Sequence, residues 1–133
     1  MKKIYENQFA QIFFDDIRKI MKTQWLENSE NITEDELKTS ITKAGELVEQ
    51  FKPHFQVADN TNQKFIFSVD IQEWVAHHVA APCVKVGIKK IAILMPTDLL
   101  SELSTEQAAE ENKLPIEIKY FKAEHEALKW FGF

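Results

Sequence analysis

Phe55-Gln56-Val57-Ala58-Asp59-Asn60-Thr61-Asn62, running on through Phe65-Ile66-Phe67-Ser68 to Val79, is the stretch that decides the fold. Phe55, Val57 and Ala58 form an apolar run that ends in Asp59-Asn60-Thr61-Asn62, residues that break strands and build turns. Phe65-Ile66-Phe67 is a second apolar burst. Beyond Ser68, the residues Ile71, Trp74, Val75, His78 and Val79 recur at i, i+3, i+4, i+7 and i+8, one stripe of a helix. Strand, polar loop and helix in succession make an α/β unit, and the loop falls at one edge of a sheet, where such proteins usually bind things. Asp59, Asn60, Thr61, Ser68, Asp70 and Trp74 are therefore the candidate partner-binding residues.

Upstream, Thr33 and Glu36 form a capping box for a helix with Leu37, Ile41, Ala44, Val48 and Phe51 on one face. Pro53 ends it, because a proline pushes the preceding residue out of helical space. Gly45 interrupts this helix at a cost of roughly 1 kcal/mol against alanine, which implies a close approach, read here as that of the sheet. Residues 9–25 admit two readings. Phe9, Ile12, Phe13, Ile17, Ile20 and Met21 fit a helical stripe, which periodicity slightly favours. The same residues also fit a hairpin, with Gln11–Phe14, a turn at Asp15-Asp16, and Lys19–Trp25.

Downstream, Ala80-Ala81-Pro82 stops the second helix, Gly87 marks a turn, and Ile88–Met95 reads as a strand covered on both faces. Pro96-Thr97-Asp98 opens a helical segment through Leu99, Leu100, Leu103, Ala108 and Ala109, with Ser104 and Gln107 as a second capping box. Ile116, Ile118 and Tyr120 alternate with Glu117 and Lys119 in a strand near an edge. A short helix with Ala123, Ala127, Leu128 and Phe131 closes the chain. Residues 1–133 are expected to form one α/β domain with right-handed crossovers.

The chain has 133 residues, of which 44% are hydrophobic, with a formal net charge of −5. That composition supports a packed core and argues against a general nucleic-acid binder. Lys85, Lys89 and Lys90 are explained as a solvated strand end. One cysteine, Cys83, excludes an internal disulfide and fits a reducing, cytoplasmic setting. No apolar run reaches the ~20 residues of a membrane span, and Tyr5-Glu6-Asn7-Gln8 follows the basic start where a signal peptide would place an apolar region.

Several segments together resemble a known family. They are Phe14-Asp15 with Ile20 and Trp25, Phe67-Ser68 with Gln72-Glu73-Trp74-Val75, Gly87-Ile88-Lys89-Lys90-Ile91-Ala92, and Phe121 with Glu126-Ala127-Leu128-Lys129-Trp130. Over nearly its whole length the chain resembles SpoIIAA-like, STAS-type domains of the small stand-alone bacterial kind. The resemblance implies a mixed sheet of about five strands, an N-terminal hairpin in residues 9–25, and three to four helices. In the family's anti-sigma-factor antagonists a serine at the start of the helix after the central strand is phosphorylated and controls partner binding. By position that serine is Ser68. The family has Asp before the serine and a small residue with Gly after it, where this chain has Phe67 and Val69-Asp70, and Asp70 would repel an added phosphate.

These features lead to a non-enzymatic regulatory module that docks a partner protein through residues 59–68 and the start of the second helix. The alternative is a carrier for a small apolar ligand or lipid, with Phe55, Phe65, Phe67, Trp74 and His78 around a cavity. No cofactor is implied: a Gly-rich phosphate loop is absent, the only three glycines being Gly45, Gly87 and Gly132. His77 and His78, adjacent on a helix, point about 100° apart, and no further ligands stand at metal spacing. Asp59, His78 and Cys83 would be the groups of an enzyme, but nothing in the sequence links them. Trp130, Phe131 and Phe133 either close the core or form a self-association patch, as in a homodimer.

Overall fold

A computed structural model describes residues 1–95 and 115–133. Strands β1 (Lys2–Glu6), β2 (Ala10–Asp15), β3 (Ile20–Trp25), β4 (Phe55–Asp59), β5 (Lys90–Leu94) and β6 (Glu117–Phe121) form one sheet in sequence order. The first two pairings are antiparallel and the next three parallel, so the sheet is mixed. Helix α1 (Glu34–Phe51) connects β3 to β4, and α2 (Val69–Val75), a π turn (Ala76–Ala80) and α3 (Ala81–Val86) connect β4 to β5. Helix α4 (Glu124–Phe131) follows β6. The helical segment expected over 96–114 lies outside the described residues.

Residues 9–25 are the hairpin. Periodicity misleads there because β2 sits between β1 and β3 and carries apolar residues on both faces: Ile12 and Phe14 are buried, while Phe13 on the opposite face is half-buried. The turn is held by Asp15, whose Oδ1 accepts from the backbone N–H of Ile17 and of Arg18, each at 3.0 Å. The Arg18 amide, and then its guanidinium, hold the Asp15 carboxyl below its usual pKa. Among the described residues the sheet has six strands where about five are expected. The additional one is β1, whose Lys2-Lys3-Ile4-Tyr5-Glu6 lacks clean alternation because a bulge between Lys3 and Tyr5 shifts the register, and charged residues are what an edge strand carries.

The strand alternation of β4 divides the core. Ala58 packs with Ile12, Phe14, Met21, Leu47, Val48, Cys83, Ile91 and Ile93 beneath α1 and α3. Phe55 and Val57 pack with Ile20, Ala92, Leu94, Ala127 and Phe131 beneath α4. Helix α1 begins as expected: Thr33 Oγ1 accepts from the Glu36 N–H at 3.2 Å, and Glu36 Oε1 from the Thr33 N–H at 3.0 Å.

The second helical segment does not stop at Pro82 but runs to Val86, where Gly87 caps it in the left-handed conformation. Proline has no N–H to offer the carbonyl four residues back, that of His78, and its ring crowds that carbonyl. The chain accommodates it by widening: the Ala81 N–H donates to Ala76 O, a π-type bond. Gly45 exists for this turn rather than for the sheet. A Cβ built at Gly45 would overlap the carbonyl oxygen of His78 and come within 2.9 Å of its carbonyl carbon.

Candidate functional site

Between the sheet and this helical layer lies a cavity of ≈ 170 Å³. Ala10, Ile12, Ile91 and Ile93 contribute to its sheet side, along with Gln56, Ala58 and Asn60 from β4 and its end. Ile41 and Ala44 of α1, Val75 of α2, Val79 and Ala80 of the π turn, and Phe67 line it as well. The hollow follows from side-chain size. Ala44, Ala58 and Ala80 are small at positions where a Leu would fill the gap, and the widened turn changes the helical register just where the roof passes over β4. The hollow is partly open to solvent, and its apolar walls lack packing partners across it. No charged side chain is among its described lining residues.

The polar loop after β4 is fastened down rather than free. Ser29, fully buried in the 3₁₀ turn Glu27–Asn31, donates to Asn62 O at 3.3 Å and accepts from the Lys64 N–H at 3.1 Å. Asp59 Oδ1 accepts from the Thr61 N–H at 3.1 Å and the Thr61 hydroxyl at 2.7 Å, folding the loop onto its own backbone. On the α4 face, Lys22 Nζ stands 2.7 Å from Glu124 Oε1 and 3.8 Å from Asp59 Oδ2. Asp59 and Asn60 are only 7% and 5% exposed. The six candidate partner-binding residues therefore do not share one surface. Ser68 and Asp70 are exposed, Thr61 is half-buried, and Asp59 and Asn60 are inside.

Ser68 is the N-cap of α2, its hydroxyl accepting from the Ile71 N–H at 3.2 Å. Trp74 pins α2 to α1: its indole N–H lies 3.2 Å from Lys38 O and 3.1 Å from Thr42 Oγ1. His78 stacks on that indole with centroids 4.1 Å apart and takes part in a 3.1 Å contact between its Nδ1 and Trp74 O. Replacing the indole by a ring without the N–H isolates this link. Trp74→Phe is expected to lower stability by about 1 kcal/mol, read from the urea midpoint at unchanged slope.

Of the five residues expected around a ligand, Phe67 lines the cavity. Phe55 lies on the other side of the sheet, stacked on Phe131 at 4.7 Å. Phe65 packs edge-on against Trp25 at 4.8 Å, while Trp74 bonds to α1 and His78 stacks on Trp74. The polar lining that the sequence reading did not place around a cavity comprises Gln56 and Asn60, which share the face of Ala58, together with Tyr5, Thr23, Gln24 and Ser40. Phe131 belongs to the core, and Phe133 is 52% exposed.

Asp59, His78 and Cys83 are not brought together: Asp59 serves the α4 face, His78 serves Trp74, and Cys83 Sγ donates to Gln56 Oε1 at 3.3 Å under α3. Burial pushes the Cys83 thiol up to about 12, so it stays protonated at neutral pH and is a poor nucleophile. Among the described residues no group of three His, Cys, Asp or Glu side chains could hold a metal ion, and no helix is long and apolar enough to cross a membrane. No protein-family model, curated protein or solved structure matches this chain.

Proposed function

We propose that the chain is a non-enzymatic binding module of the SpoIIAA-like, STAS type whose cavity takes up one small apolar molecule. The observation that carries this reading is the ≈ 170 Å³ hollow lined mostly by aliphatic side chains. It is comparable to the ~150 Å³ apolar cavity that accepts benzene, and below the ~300–1,000 Å³ of sites for drug-sized ligands. A monocyclic ring or a short branched chain fits; a long-chain lipid does not. The protonated Cys83 thiol and the separation of Asp59 from His78 support binding rather than catalysis.

Toluene is the direct probe. A ligand at 100 times its Kd adds about 2.7 kcal/mol to stability, which for a domain of this size raises Tm by roughly 5–15 °C. Ala58→Leu, which places three extra carbons on the cavity floor, is expected to remove that shift while the protein stays folded. An unchanged Tm of the wild-type protein in toluene, or an equal shift in Ala58→Leu, contradicts the reading.

A second reading, a docking site for a partner protein, is favoured by one observation. Ile66 and Val69, 57% and 68% exposed, flank Ser68 at the start of α2. Cross-links from a captured partner are then expected at residues 66–70, and cross-links confined to other surfaces count against it. The Ser68 hydroxyl is engaged as the α2 cap, and Asp70 stands beside it. Intact-protein mass is accordingly expected to show no phosphate.

A further inference from the structure

Resting on the cavity reading, we propose that Asn60 is the specificity-determining residue of the site, selecting a neutral ring-sized molecule that carries one hydroxyl or amide group. Asn60 lines the cavity and is 5% exposed. Its backbone is fully used, the N–H donating to Leu94 O at 3.2 Å and the carbonyl accepting from the Gln63 N–H at 3.1 Å. Its side-chain carboxamide has no hydrogen-bond partner among the described residues. The carboxamide is not sealed in the core but borders the cavity, and an amide that is otherwise unengaged there is set for an occupant that both donates and accepts.

The other polar group on the same stretch is differently disposed. Gln56, 4% exposed, already has its Oε1 engaged by Cys83 Sγ at 3.3 Å. Four residues along an extended chain separate the two by roughly 13 Å, with Ala58 between them. Asn60 and Gln56 thus mark opposite ends of the floor, and the apolar body of the ligand lies over Ala58 with its polar atom at Asn60.

The charge of the ligand follows from the lining. No Lys, Arg, His, Asp or Glu is among the described residues around the cavity. A carboxylate or ammonium would lose its water without gaining a counter-charge. A phenol or a primary amide keeps its hydrogen bonds through Asn60 and buries the rest.

The experiment compares toluene, p-cresol and p-toluate by calorimetric titration of the full chain, wild type and Asn60→Leu, with Gln56→Leu as the second variant. In the wild type p-cresol is expected to bind at least tenfold more tightly than toluene, and p-toluate not measurably. In Asn60→Leu toluene binding persists and the tenfold preference disappears; in Gln56→Leu the preference stays. Equal affinity of the wild type for toluene and p-cresol overturns the assignment and leaves the apolar-cavity reading standing. Loss of the preference in Gln56→Leu but not in Asn60→Leu also overturns it. Binding of neither toluene nor p-cresol removes the cavity reading, and this assignment with it.

Discussion

Gly45→Ala is expected to destabilise the protein by about 3 kcal/mol, the upper end of what overpacking costs, although the same change in an ordinary helix interior stabilises by about 1 kcal/mol. The sign is reversed by the π turn. The new Cβ overlaps the His78 carbonyl oxygen, lies 2.9 Å from its carbonyl carbon, and meets Pro82 Cγ at 3.4 Å. Two of those contacts are backbone, so no rotamer change relieves them, and α1 must lift away from the π turn. That movement opens the packing of Val48 against Cys83, and overpacking of this kind typically costs 1–3 kcal/mol, occasionally more. A loss of that size takes much of the ~5–15 kcal/mol a domain of this class has to spare. Urea denaturation reads it directly. A Gly45→Ala protein as stable as the wild type would mean that α1 and the π turn are not in contact here.

The second large effect is a decline of stability at alkaline pH traceable to one thiol. Cys83 is fully buried, and burial raises its pKa from 9.0 to about 12. Below pH 9 both native and unfolded chains hold the proton, and nothing changes. Between about 9 and 12 the unfolded chain gives up a proton that the native chain keeps. The unfolded state then binds fewer protons, and unfolding becomes easier as pH rises. The slope is at most about 1.4 kcal/mol per pH unit, or on the order of 4 kcal/mol across the window. Lysines and tyrosines titrate in the same range, so the informative quantity is the difference from Cys83→Ala. The advantage of wild type over Cys83→Ala is expected to shrink by about 1.2 kcal/mol between pH 9.5 and 10.5. Parallel stability curves for the two proteins would show that the thiol is not buried as described.

Local chemistry made much of the fold readable. The Thr33–Glu36 box, the α1 stripe, the Ser68 cap and the Asp59 turn each depend on neighbours in sequence, and each stands in the structure. β1 was not readable, because an edge strand with a bulge needs no clean alternation. The continuation of the second helix past Pro82 was not either, since it requires the chain to widen by one residue per turn, which no spacing rule anticipates. Phe55 shows why the cavity lining is hard to read from sequence. An apolar strand residue can line either side of a sheet, and strand alternation places half-buried Phe55 with Val57 on the α4 face, while Gln56 and Ala58 face the hollow. The cavity draws on both the sheet and the helical layer, and its volume depends on which small side chains happen to meet. Pairings between distant segments carry that information.

Xenon is a probe for the cavity under α1. Crystals of the wild-type protein pressurised with xenon are expected to show one strong peak over Ala58, between β4 and Ala44 of α1, that is absent in Ala58→Leu. Wild-type crystals with no peak there, or with side chains closed over Ala58, would contradict the account.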